Sequence, residues 1–149
     1  MIIREAIEQD YRAIWEFMRN ELGYPNLDQA EAIKRLTYFK NNVDWVTFVA
    51  DDEQGSIMGF IGVMKGVAYN IEGYYSQIMA LAISEKAQRK GIGTKLVRKA
   101  EEWSLANGIT NMAVNSGLKR LGAHAFYEKI GFVKKSFSFS KTLSLEHID

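Results

Sequence analysis

The sequence contains no cysteine, and this absence excludes several chemistries at once. A chain without thiols has no disulfide, no thiolate metal ligand and no acyl-cysteine intermediate. Histidine is also scarce: His124 and His147 are the only two, and they lack the ligand spacing of a zinc site. Any acyl transfer by this protein would have to be direct or use another nucleophile, and we expect no bound metal.

Long apolar runs and a strong net charge are lacking as well. The longest apolar run, Ile57 to Met64, is too short to cross a bilayer, and the first residues have no signal-peptide pattern. The formal net charge is +1, so the overall field gives no reason to invoke nucleic acid or an anionic membrane. We therefore expect a cytoplasmic protein with neither of these as a partner.

What remains is the composition of an ordinary globular protein. The chain has 149 residues, of which 47% are hydrophobic and 25% charged, and this is enough for one domain with a sizeable core. No repeat, low-complexity stretch or linker interrupts it. The sequence therefore predicts a single domain over residues 1–149.

Hydrophobic periodicity predicts alternating strands and helices in the order β, α, α, β, β, β, α, β, α, β, β. Such an order gives a mixed sheet covered by helices on both faces. Gly59 and Gly62, inside one predicted strand, indicate a bulge or the close approach of another group. A loop is expected over residues 66–73, and the last two strands are expected over residues 132–135 and 137–143.

The stretch from Gln77 to Lys99 changes from strand-like to helix-like chemistry across a pair of glycines. Residues 77–83 contain no Gly or Pro and predict a strand buried on both faces. The following helix would begin at Gly91 and Gly93, whose lack of side chains lets a ligand approach the free N–H groups of its first turn. Phosphate is the natural ligand of such a site.

Spacing narrows the choice of phosphate ligand. The dinucleotide fingerprint requires a third glycine where Leu96 stands, and the nucleoside-triphosphate loop requires a lysine directly after a glycine. Gln88, Gly91 and Gly93 instead match Q/R-x-x-G-x-G/A, so the stretch resembles the acetyl-coenzyme A (acetyl-CoA) motif of the GNAT superfamily of N-acetyltransferases. The segment from Ala123 to Phe132 matches a second pattern of that family, A-x-x-F-Y-x-x-x-G-F.

The resemblance covers almost the entire chain and implies an α/β fold. We expect a single-domain, mixed and mostly antiparallel sheet flanked by helices, with splayed central strands that hold the pantetheine arm of acetyl-CoA. Asn115 would bind that arm, although an Asn before Ser116-Gly117 is equally suited to a turn. The resemblance implies the following cofactor-binding residues: Leu81, Ala82, Ile83, Gln88, Arg89, Lys90, Gly91, Ile92, Gly93, Thr94, Lys95, Asn115, Phe126 and Tyr127.

Tyr127 is the residue that the resemblance assigns to chemistry. A phenol can protonate the coenzyme A thiolate as it leaves, although the residue type alone, without the resemblance, favours a packed aromatic. The base that would deprotonate the amine is harder to identify, because Met79 and Ala80 occupy strand positions where some relatives carry Glu. Glu72 is a weak candidate, because an acidic residue at this position is more typical of an exposed turn. Histidine can also act as a base, but the place of His124 on a helix one turn before Tyr127 favours a position at the surface.

These observations predict an enzyme that moves an acetyl group directly from acetyl-CoA to a primary amine of a small molecule. Two alternatives stay open: a protein or peptide N-acetyltransferase, and a non-catalytic module that binds acyl-CoA. The edges of the predicted terminal strands are compatible with a homodimer, whose existence the sequence leaves open.

Overall fold

A computed structural model describes residues 1–145 of the chain, in two compact units that comprise Met1–Val114 and Asn115 onward. The first unit contains β1 (Ile2–Glu5), α1 (Tyr11–Asn20), α2 (Gln29–Lys40), β2 (Trp45–Asp51), β3 (Ile57–Ala68), β4 (Ile71–Ile83), α3 (Ile92–Ala106) and β5 (Met112–Val114). The second contains α4 (Leu121–Lys129). No helix within residues 1–145 is long and apolar enough to span a membrane.

The five strands form one sheet in the order β1-β2-β3-β4-β5. The first three pairings are antiparallel, and β5 joins β4 in parallel. This confirms the predicted mixed, mostly antiparallel sheet. The prediction that residues 1–149 form one domain stays a prediction.

The pairing between β4 and β5 is short. It covers Ser76–Ile78 and Met112–Val114, whereas β4 continues to Ile83. Within the described residues, Ala80–Ile83 therefore have a sheet partner on the β3 side alone. The central strands therefore stop pairing before the end of β4, as the resemblance to the GNAT superfamily implied.

A bulge interrupts the pairing of β3 with β4 at Met79. Gly62 pairs with Ala80 and Val63 pairs with Ile78, so Met79 has no partner on β3. An extra residue of this kind reverses the faces to which the following side chains point. Ile78 and Ala82 are buried but Met79 is 49% exposed, so the prediction that this strand is buried on both faces was wrong.

Helices cover both faces of the sheet. One cluster of buried side chains joins α1 and α2 to the sheet and comprises Ala6, Tyr11, Ile14, Phe17, Leu36, Val49, Phe60 and Ala82. On the other face, α3 packs through Leu96 and Ala100, which have no exposed surface. The hydroxyl oxygens of Ser76 on β4 and Ser104 on α3 lie 2.9 Å apart in this interface, which fixes the helix to the strand that carries the site.

Two element predictions were wrong. Residues 66–73 are not a loop, because β3 continues to Ala68 and β4 begins at Ile71, which leaves only Tyr69-Asn70 as the turn. Residues 132–143 form no strands: the Phe/Ser alternation over 137–140 suits a strand, but a strand also needs a hydrogen-bonded partner, and Phe139 is 92% exposed. The strand edges proposed for a homodimer are therefore absent from the described residues.

His147, the second histidine of the sequence, lies outside the described residues.

Candidate functional site

The connection between β4 and α3 forms a sharply turned loop. After Ile83 the chain makes a 3₁₀ turn over Glu85–Ala87, and the Gln88 side chain donates a long hydrogen bond of 3.5 Å to the Ile83 carbonyl. Arg89 and Gly91 both adopt left-handed backbone conformations, with φ of 66° and 76°. Such a φ costs a glycine nothing but is strained for an arginine, so the fold holds Arg89 in an unfavourable conformation.

The loop presents unpaired donors at the start of α3. The first helical hydrogen bond runs from the Lys95 N–H to the Gly91 carbonyl, at 3.1 Å. The N–H groups of Ile92, Gly93 and Thr94 precede it, and none of them has an acceptor within residues 1–145. A Cβ at Gly91 would meet no atom within 4 Å, so the space beside these donors is open. This donor set fits a phosphate group.

Basic residues flank these donors in the sequence. Arg89, Lys90 and Lys95 are exposed, and within residues 1–145 none of them forms an ion pair with a carboxylate. Their positive charge adds to that of the helix N-terminus, where each favourable charge contributes about 0.3–1 kcal/mol. The loop therefore combines directional donors with a positive field.

The strand before the loop offers a backbone edge. Leu81, Ala82 and Ile83 pair with β3 on one side, and on the other side they lie beyond the last pairing with β5. A strand edge of this kind can pair with the amides of a bound ligand as it would with another strand. The edge and the phosphate-binding loop are consecutive in the chain, so the first unit brings together every predicted cofactor residue from Leu81 to Lys95.

Glu72 lies far from this part of the strand. It is an exposed residue near the start of β4, next to the hairpin turn. At about 3.3 Å per residue, Glu72 is roughly 20–25 Å from Met79 along the strand. Nothing in the first unit links Glu72 with the loop or with the free edge.

The second unit holds Tyr127 in an aromatic cluster. The Tyr127 side chain packs edge-on against Phe126 and Phe132, with ring centroids 5.3 and 5.6 Å away. Burial raises the pKa of the Tyr127 phenol above its usual value, and the positive charge of Arg120 offsets part of that increase. The phenol is therefore protonated at neutral pH, and its hydroxyl has no hydrogen-bond partner within residues 1–145. Both properties suit a proton donor.

The turn before α4 contains further polar groups. Asn115 is exposed, and the hydroxyl of the neighbouring Ser116 is buried without a partner. Nε2 of His124 lies 2.8 Å from the Gly117 carbonyl, which places a proton on that nitrogen and ties α4 to the turn. Ser116 and Arg120 could not be predicted as site residues, because serine and arginine in a loop give no distinguishing signal.

The chain belongs to the GNAT family of acetyltransferases, since residues 4–132 match that family. It is 26% identical over 145 residues to the aminoalkylphosphonate N-acetyltransferase of Salmonella typhimurium, a match that covers 95% of this chain and 90% of that protein. Matches to two other N-acetyltransferases, both from Bacillus subtilis, cover 38% and 63% of their lengths. Enzymes of this family use acetyl-CoA as cosubstrate and acetylate amines, so the chain is an acyltransferase.

Solved structures share the fold. A transcriptional regulator from Bacillus halodurans superposes with a TM-score of 0.86 at 21% identity, covering 95% of this chain and 99% of that one. An aminoglycoside acetyltransferase, AAC(6')-Iy, in complex with a bisubstrate analogue of coenzyme A, superposes with a TM-score of 0.82 at 14% identity, covering 96% and 98%. At these identities the likeness concerns the fold.

Proposed function

We propose that this protein transfers the acetyl group of acetyl-CoA directly to a primary amine of a small molecule. The observation that carries the proposal is the turn at Gly91, where open N–H donors at the start of α3 directly follow a strand with a free edge. A ligand with a pyrophosphate at one end and amide groups along an extended arm matches both features. Acetyl-CoA has this structure.

Each part of the site has a separate task. The loop from Gln88 to Lys95 holds the pyrophosphate through backbone N–H groups and positive charge. The edge of Leu81–Ile83 orients the pantetheine amides, and Asn115 supplies a further hydrogen bond to that arm. Phe126 provides an apolar contact to the cofactor. Binding at several fixed points lowers the entropic cost of bringing the thioester to the amine.

Tyr127 acts as the general acid. The amine nitrogen forms a bond to the carbonyl carbon of the thioester, the carbon–sulfur bond breaks, and the departing thiolate takes the phenolic proton of Tyr127. A buried, protonated phenol with a free hydroxyl supports this role. Tyr127 then recovers a proton from solvent, so the residue is unchanged after each turnover.

The amine must lose a proton before or during its attack. No residue from Met79 to Ile83 carries a carboxylate, and Glu72 is remote along the strand. We therefore assign the proton to water and to the fraction of amine that is already neutral. This assignment predicts that kcat/KM rises with pH as the acceptor amine deprotonates.

The small-molecule acceptor is supported by the likeness to the aminoalkylphosphonate enzyme over nearly the whole chain. The test is a panel of primary amines measured by thiol release from acetyl-CoA: aminoalkylphosphonates, aminoglycosides and a lysine peptide. The proposal predicts the highest kcat/KM for a small amine. A preference for the peptide would instead identify a protein acetyltransferase.

The rival function is a non-catalytic acyl-CoA-binding module, and the absence of a carboxylate on Met79–Ile83 is the observation that favours it. The two functions differ in one readout. Acetyl-CoA raises the melting temperature of a binding module, but such a module releases no thiol with any amine. An acetyltransferase shows both the higher melting temperature and thiol release.

A further inference from the structure

Met79 is the only exposed residue on the half of β4 that carries the site. Its side chain is 49% exposed, whereas every other residue from Tyr75 to Ile83 is buried or half-buried. Within the described residues Met79 also has no partner on either neighbouring strand, because the bulge skips it on β3 and the pairing with β5 ends at Ile78. A long apolar side chain therefore lies at the point where β4 and β5 stop pairing.

This point is where the proposed binding mode puts the thioester. The pyrophosphate would lie at the start of α3 and the pantetheine amides along Leu81–Ile83, so the arm would run back along β4 toward its acyl end. At about 3.3 Å per residue, Met79 is about 13 Å from Ile83 in that direction. An amine that attacks the thioester must therefore approach Met79.

The surroundings of the free edge are apolar as well. Met18 and Leu22, at and just after the end of α1, are half-buried and pack against the same core cluster as Ala80. No residue from Ser76 to Ser84 carries a charge. Apolar side chains from β4 and from the end of α1 therefore border the edge on which we place the arm.

A surface of this kind selects among amines by the group that is attached to the nitrogen. Each methylene group that is buried against it raises affinity by about 4-fold. A hydroxyl in the same place loses its hydrogen bonds to water without gaining a partner. Apolar surroundings also disfavour an ammonium ion, so they favour the neutral amine that attacks the thioester.

We propose that Met79 is a specificity-determining residue that contacts the carbon atoms next to the acceptor nitrogen, so that the preferred acceptor is a primary amine on an alkyl chain rather than a hydroxylated amine. The inference rests on the proposed acetyl transfer and narrows the class of its acceptor. An unbranched, polarisable methionine side chain adapts to alkyl chains of different length.

The experiment compares two pairs of amines in which a hydroxyl replaces a methyl group: propylamine with ethanolamine, and butylamine with 3-amino-1-propanol. Thiol release from acetyl-CoA gives kcat/KM for the neutral form of each amine. Calorimetric titration of the amines into the full chain saturated with coenzyme A gives their Kd. Wild-type protein should prefer the alkylamine of each pair by about 4-fold or more, and the preference should appear in KM and Kd rather than in kcat.

Two variants at Met79 separate its apolar character from its size. Met79→Leu keeps an apolar side chain and should keep the preference. Met79→Gln has a similar length but is polar, and it should reduce the preference to within about 2-fold. Met64→Gln is the matched control, because it changes a half-buried methionine on β3, on the other side of β4 from the free edge, and should keep the preference.

Equal kcat/KM values of wild-type protein for the two members of each pair would overturn the inference and leave acetyl transfer intact. A preference that survives in Met79→Gln would overturn the role of Met79. If this variant turns over too slowly, the calorimetric Kd values provide the same comparison, and melting temperatures confirm that the variants fold. Binding of coenzyme A without thiol release for any amine would overturn acetyl transfer and this inference with it.

Discussion

Gly59 on β3 faces the carbonyl of Ala82 on β4 so closely that a Cβ at Gly59 would lie 2.6 Å from the Ala82 oxygen. No side chain fits at that distance, so the glycine sets the position of the β4 backbone where we place the pantetheine arm. Gly62 offers a contrast within the same strand, because a Cβ there would meet only the Ala80 Cβ, at 4.0 Å. The neighbouring bulge at Met79 reverses the faces of the sheet to which the following β4 side chains point.

Gly59→Ala should therefore move β4 at Ala82 and lower the free energy of unfolding by about 1–3 kcal/mol, the range of overpacked sites. Urea unfolding measures the change, and titration with coenzyme A should show weaker binding. Gly62→Ala is the matched control and should change the unfolding free energy by less than about 0.5 kcal/mol. Similar losses in both variants would contradict the close-contact explanation.

The strained conformation of Arg89 gives a second prediction. Arg89→Gly and Arg89→Ala remove the same charge, but only glycine relieves the cost of φ 66°. The glycine variant should have an unfolding free energy about 0.5–1 kcal/mol higher than the alanine variant. Both should lose the same affinity for coenzyme A if the side chain acts through its charge. A glycine variant no more stable than the alanine variant would argue against strain at this residue.

The ion pair between Arg4 and Asp10 should dominate the response of stability to acid. Burial of Asp10 raises its pKa, but hydrogen bonds from the Arg4 guanidinium, at 2.7 and 3.0 Å, and from the Ile7 N–H outweigh it, so the pKa is lowered. A lowered folded-state pKa gives stability that is present above the unfolded value of about 3.9 and is lost as pH falls through the folded value.

Asp10→Asn should therefore cost about 1–3 kcal/mol of unfolding free energy at neutral pH, because it removes the buried carboxylate while Arg4 keeps its pair with Asp51 at 3.1 Å. The difference from wild type should stay constant at mildly acidic pH and shrink below about pH 4. Glu16→Gln, at the exposed pair with Arg12, serves as control and should change stability by less than about 1 kcal/mol. A difference for Asp10→Asn that does not vary with pH would exclude the charge as its cause.

Removing the Tyr127 hydroxyl should separate chemistry from binding. Tyr127→Phe should lower kcat by about 10²–10⁴-fold, the usual contribution of a general acid, and leave the Kd for acetyl-CoA within about 2-fold. The fully packed Tyr11, whose pKa burial also raises, provides a control: Tyr11→Phe should leave kcat unchanged. Equal losses of kcat and affinity in Tyr127→Phe would indicate a packing role instead.

Much of this architecture could be predicted from local patterns. The glycine pair at Gly91 and Gly93, together with the apolar spacing from Ile92, located the start of α3 correctly, because helix ends depend on neighbouring residues. Gly62 indicated the bulge between β3 and β4, because a glycine inside a strand often marks one. The burial of Met79 was predicted wrongly, because the alternation of β4 does not show which of its residues the bulge leaves without a partner on β3.

Other features depend on contacts distant in the chain. The Phe/Ser alternation after Gly131 is a strand pattern, but pairing requires a neighbouring strand that the pattern cannot supply. The left-handed conformation of Arg89 was not predicted, because arginine gives no sign that the surrounding fold will impose it.

Acetyl transfer from acetyl-CoA to an amine is tested most directly by following an isotopically labelled acetyl group. Incubation of the protein with labelled acetyl-CoA and the best amine of the panel should place the label on the amine nitrogen and release one equivalent of coenzyme A thiol, at a rate that Tyr127→Phe sharply reduces. Tight binding of acetyl-CoA without label on any amine would contradict the account.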